Sequence, residues 1–235
     1  MSQTPSHAID APAPWWLHGR GYITLLRFDE PLSDEAAFVP EGLQSSRRRS
    51  RIATMMFVDY ADSPVGPYHE LLFIPGRFRF ADGLDHQSIT RIFVSSQDSV
   101  VNGNVNWGIP KDLAQFDVRY RDGGLDKVTV SQNGQVFAEL AFKRWPLPIP
   151  VLGLLIPPKL RTLGQLARDQ HYIYTPRADG IAMPGALASA KIDAAVFPDV
   201  SQAKPLMTVY LPYFRMLFAP SRLFPATSDA ATAAS

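Results

Sequence analysis

The sequence predicts an α+β fold of mostly antiparallel β-strands, a sheet or barrel with a few short helices. Three observations carry that expectation. The apolar runs are short, rich in β-branched and aromatic residues, and bounded by Pro, Gly or Asp. The 21 prolines among 235 residues are scattered, which argues against long helices. No long helical pattern alternates with the strand runs, so a βαβ arrangement does not fit.

Residues 1–14 (MSQTPSHAIDAPAP) are polar, Ala/Pro-rich and aperiodic, and read as a flexible N-terminal arm. A single domain is expected over 15–225 and a flexible tail over 226–235. Strands are expected at Gly21–Phe28, Arg51–Tyr60, Tyr68–Ile74 and Ile89–Ser96. Phe116–Tyr120, Lys127–Ser131 and Gln135–Lys143 follow, separated by RDGG and QNG. Asp-Gly and Asn-Gly favour tight hairpins, so these three strands form a meander. Ser33 before Asp34 and Glu35 predicts a short capped helix to Phe38, stopped by Pro40. A further helical turn is expected to start within Pro110–Phe116. Leu206–Leu217, interrupted by Pro212, reads as a strand.

Composition narrows the function. Lys+Arg 23 against Asp+Glu 22 gives a charge of +1, with no global field for nucleic acid or an anionic membrane. The absence of cysteine excludes disulfides, a thiolate nucleophile and Cys-ligated metal. The longest apolar stretch, WPLPIPVLGLLIPP from Trp145, is too short to span a bilayer and holds five prolines. No basic n-region precedes an apolar h-region, so a cytoplasmic protein is expected. Dinucleotide, P-loop, nucleophile-elbow and HExxH patterns are all missing. The five histidines (His7, His18, His69, His86, His171) lack metal-ligand spacing, so no metal is expected. SSRRRSR, Ser45–Arg51, reads as a solvated loop rather than a nucleic-acid patch.

Two segments stand out. In Ser63–Glu70 (SPVGPYHE) a turn enters an apolar strand, and Glu70 shares a face with Tyr68 and Leu72. A carboxylate there is costly unless paired or protonated. In Asn102–Ala114 (NGNVNWGIPKDLA) Lys111 lies among apolar groups, whose desolvation lowers a lysine pKa toward the neutral amine that imine chemistry needs. Paired with Asp112, the same lysine would be merely structural.

GPYHE followed about forty residues on by GIPKDLA resembles the acetoacetate decarboxylase superfamily, whose members carry G-x-Y-x-E and then P-K-K-L. The resemblance implies a cone-like β-barrel with a closed apolar pocket, a homo-oligomer, and a lysine that forms an imine with a ketone. On matching positions Lys111 takes the place of the imine lysine and Glu70 that of the glutamate at the substrate. Arg20, in HGRGY, resembles the substrate-carboxylate arginine. Tyr68 and Trp107 are expected to line the substrate pocket with Ile109 and Leu72. Asp112 stands where the family has a second lysine, and Gly103-Asn104-Val105 replaces G-R-E.

The expected function is therefore an acetoacetate decarboxylase-like lyase acting through a Lys111 imine on a keto acid or related carbonyl compound. No cofactor is required. The alternative is a non-catalytic β-barrel that binds an apolar small molecule. Glu70 is expected within reach of both Lys111 and Arg20.

Overall fold

The computed structural model describes residues 9–151 and 157–226. Its first sheet runs from β8 (Asp112–Leu113) through β7 (Arg91–Val94), β4 (Tyr68–Ile74), β3 (Ile52–Asp62) and β1 (Trp15–Arg27) to β16 (Lys204–Phe218). It continues through β15 (Arg177–Ile192), β11 (Gln135–Arg144), β10 (Leu125–Gln132) and β9 (Gln115–Asp122), with β12 (Ile149–Val151) paired to β15. All of these pairings are antiparallel except β7 with β8. A second sheet orders β17 (Arg222–Pro225), β14 (Gln170–Tyr174), β13 (Leu163–Ala167), β6 (Asp85–Gln87), β5 (Arg77–Arg79) and β2 (Arg47–Arg48). The helices are α1 (Glu41–Gln44), α2 (Gln97–Trp107) and α3 (Pro158–Arg161). The fold is mostly antiparallel β, as the strand signals predict.

The first sheet curls until it is nearly a barrel, and alternation of side chains along its strands creates two apolar layers. One face packs Tyr22, Leu26, Phe57, Leu71, Phe73 and Phe93 against Val128, Val130, Leu140 and Phe142 of the meander. The other face carries Trp15, Leu17, Val58, Tyr60, Tyr68 and Leu72, and packs against Trp107 of α2 and Leu163 and Tyr174 of the second sheet. The candidate site lies in this second layer.

The meander forms where expected, with Asn133 and Gly134 both at positive φ in its second turn. Three expectations need correction. Ser33 does cap the backbone, accepting from Ala36 N at 3.1 Å, but Phe38 turns to φ 51° and only a turn forms before α1. Pro110–Phe116 starts no helix: it is extended, because Asp112 and Leu113 pair with Phe93 and Val94. Of the arm, residues 9–13 are tied down: Ile9 N, Ala11 N and Ala13 N donate to the side chains of Asp98, Asn102 and Asn106 on α2. The rest of the arm, His7 included, and the tail beyond residue 226 lie outside the described residues.

Candidate active site

β4 presents Tyr68, Glu70, Leu72 and Ile74 to one cavity because alternate residues of a strand share a face. The facing wall is built by α2 and the segment that follows it. Ser96 caps α2 by accepting from Ser99 N at 3.3 Å, and Gly108 ends it in the left-handed region at φ 64°. The chain then turns through Ile109 and Pro110 and sends Lys111 back across the helix. A Cβ on Gly103 would stand 2.8 Å from Lys111 Cε, so the missing side chain is what lets the lysine stem lie there.

Lys111 Nζ donates to Glu70 Oε2 at 2.9 Å and to Ser99 Oγ at 3.0 Å. The lysine and glutamate side chains are only 5% and 6% exposed. Tyr60 donates its hydroxyl to Glu70 Oε1 at 3.3 Å, and the Tyr68 ring centroid lies 5.2 Å from Nζ. The cavity above this pair has a volume of about 240 Å³ and is walled mainly by apolar residues, among them Trp15, Leu17, Met56, Leu72, Trp107 and Ile109. Trp107 is fixed by its indole N–H, which donates to Ala219 O at 2.8 Å, and by an edge contact with Trp15. Lys111, Glu70, Tyr68 and Trp107 therefore meet at one cavity.

The electrostatics differ from expectation in one respect. Burial does act to lower the Lys111 pKa, but the Glu70 carboxylate and Tyr68 outweigh it, and the net direction is upward. The lysine rests as an ammonium paired with a carboxylate. Asp112 is not the cause: it points away and pairs with Arg91. Burial pushes the Tyr68 hydroxyl up to about 12, against the pull of Lys111, and Tyr60 is raised well above its ordinary value. Both phenols therefore stay protonated near neutrality.

Arg20 is not at the site. Trp15, Leu17, Gly21, Tyr22 and Ile23 of β1 line the cavity and Arg20 does not, its side chain leaving the other face of the sheet. There its Nε donates to Asp59 Oδ2 at 2.9 Å and its guanidinium lies 3.7 Å from the Tyr120 ring centroid. Glu70 thus has Lys111 and Tyr60 as partners, and the arginine expected beside it is replaced by a phenol. Sequence reasoning misses Ser99 and Tyr60. The signal for Ser99 is the cap at Ser96, which sets the helix that aims it. Among the described residues no group of three or more His, Asp or Glu side chains is arranged to hold a metal ion.

A family model described as acetoacetate decarboxylase matches residues 32–147, a stretch that contains both Glu70 and Lys111. A search of curated proteins finds no match. Among solved structures, an acetoacetate decarboxylase from Legionella pneumophila is 13% identical with a TM-score of 0.64, covering 94% of this chain and 92% of that one. An acetoacetate decarboxylase-like enzyme from Sphingomonas wittichii is 11% identical with a TM-score of 0.66, covering 96% and 98%. The enduracididine biosynthesis enzyme MppR, complexed with the condensation product of pyruvate and imidazole 4-carboxaldehyde, is 15% identical with a TM-score of 0.58, covering 95% and 94%. These likenesses carry the fold, and the family match carries the segment that builds the site. Residues 32–147 match the acetoacetate decarboxylase family, and the chain as a whole has the fold of the solved acetoacetate decarboxylases.

Proposed function

We propose that the protein is a lyase-type enzyme that forms an imine between Lys111 and the carbonyl group of a keto acid or related compound. The observation that carries this reading is a buried Lys111–Glu70 pair at 2.9 Å facing an apolar cavity. Such a pair is a poor stability device, because desolvating two charges offsets most of their attraction. It is a good proton store. As a carbonyl group enters, the ammonium passes one proton to Glu70, and the neutral amine attacks the carbonyl carbon. Glu70 returns the proton to the carbinolamine hydroxyl, water leaves, and a cationic imine remains beside the carboxylate. That imine is the electron sink for C–C cleavage or for loss of an α-proton. Tyr60 and Tyr68, held protonated, donate hydrogen bonds to the carboxylate and to developing oxyanions.

The experiment is intact-mass measurement after borohydride treatment with pyruvate and a panel of larger ketones. The expected result is one added reduced substrate per chain in the wild type and none in Lys111→Ala. Equal trapping in both, or trapping with no ketone, would leave the apolar-ligand barrel as the function.

A further inference from the structure

The arginine-rich run that reads as a solvated loop is built into the second sheet. Arg48 of β2 lies directly opposite Arg77 of β5, and Arg77 lies opposite Gln87 of β6. Gln87 in turn registers with Leu163 of β13. Residues opposite one another share a sheet face, so these four form a row stepping about 4.8 Å per strand. Leu163 and Gln87 line the apolar cavity. Gln87, Arg77 and Arg48, with Arg49, line a second cavity of about 270 Å³ whose wall holds no carboxylate. Ile74 and Gln87 belong to both cavities.

The charges on this side do not balance. Asp34 serves both Arg47 and Arg49, Asp85 serves both Arg48 and Arg79, and Glu30 serves Arg51. Arg77 donates to a backbone carbonyl, Lys159 O. Five arginines thus share three carboxylates, and Arg77 beside them meets a carbonyl instead. Arg47 is the buried member, its side chain 2% exposed and its Nε and Nη2 without a partner, and it shares Asp34 with Arg49, each on its own carboxylate oxygen. Like charges directly opposite on a sheet repel, and an anion between Arg48 and Arg77 removes that penalty.

The inner end of the apolar cavity is different, since Lys111 and Glu70 cancel there. From Glu70 to Ile74 the pocket face of β4 spans four residues, about 13 Å, with only Leu72 between them on that face. We propose that the Arg48–Arg77 cavity is a subsite for the anionic head of a ligand whose apolar chain fills the pocket toward Lys111, the ligand class being a medium-chain oxo carboxylate. The placement of the reacting carbonyl rests on the imine reading above, whereas binding of the head rests on the arginine row alone.

The test is calorimetry at low salt with decanoate and its neutral counterpart decanamide. The wild type is expected to bind decanoate about tenfold more tightly, a preference that falls as salt is added. Arg48→Gln/Arg77→Gln should bring the two ligands to equal affinity, and the single change Arg77→Gln should do so in part. Lys111→Met should keep the preference. Equal affinities in the wild type, no binding of either ligand, or a preference lost in Lys111→Met and kept in the arginine variants would overturn the subsite. Absence of borohydride trapping with this preference intact overturns the imine and leaves the anionic subsite standing.

Discussion

Lys111 and Glu70 are one hydrogen bond apart, 2.9 Å, so a proton can pass between them without reaching water. Imine trapping by cyanoborohydride should therefore be nearly flat from about pH 6 to 9. In Glu70→Gln the amine must lose its proton to water, and trapping should rise with pH by up to about tenfold per unit. A rising profile in the wild type would remove Glu70 as the proton acceptor. Both residues are legible in the sequence for a physical reason. Tyr-His-Glu-Leu-Leu-Phe-Ile places one carboxylate on an otherwise apolar strand face, and a carboxylate there requires a cation. Which cation is a matter of strand alternation, and the alternation of β1 sends Arg20 to the other face.

The same pair sets the stability of its surroundings. Lys111→Met leaves a buried, uncompensated carboxylate and should cost about 3–5 kcal/mol in urea unfolding at neutral pH. Adding Glu70→Gln should recover most of that loss. The sign with pH follows from the raised Lys111 value. The stabilisation is complete below the ordinary lysine pKa and is lost as pH rises through the folded-state value. The stability gap between wild type and Lys111→Met should therefore close at strongly alkaline pH. A gap that widens there would contradict the assignment.

At the scale of elements, α2 is the hardest to read from the sequence and the one on which the site most depends. Asn102, Gly103, Asn104 and Asn106 are weak helix formers and give the stretch the look of a loop. Their roles explain the choice. Asn102 accepts from Ala11 N and donates to Ile9 O, Asn106 clasps the same segment, and Gly103 clears the path of Lys111. Asn102→Ala strands buried backbone groups and should cost about 1–3 kcal/mol in thermal or denaturant unfolding while trapping at the folded plateau persists. Gly103→Ala is expected to act in the opposite way. Helix propensity favours it by up to about 1 kcal/mol, yet its methyl meets the lysine stem, so trapping should fall while the fold remains. If Gly103→Ala traps at the wild-type rate, the close packing of the lysine on α2 has no part in the chemistry.

At the scale of the molecule, strands with aromatic and β-branched residues are readable from the sequence and the small-residue strand is not. β15 (RADGIAMPGALASAKI) has almost no strand propensity, and its pairing with β11 and β16 decides its conformation. The second sheet escapes sequence reading for a related reason, because its strands of two to five residues acquire meaning only when they cover the pocket. The whole assembly of two sheets and α2 serves to bury one amine beside one carboxylate. The chain has six lysines. Peptide mapping after borohydride treatment with a trapped ketone asks which of them carries the adduct. Reduced substrate is expected at Lys111 alone, and an adduct spread over the exposed lysines, with Lys111 unmodified, would contradict the imine assignment.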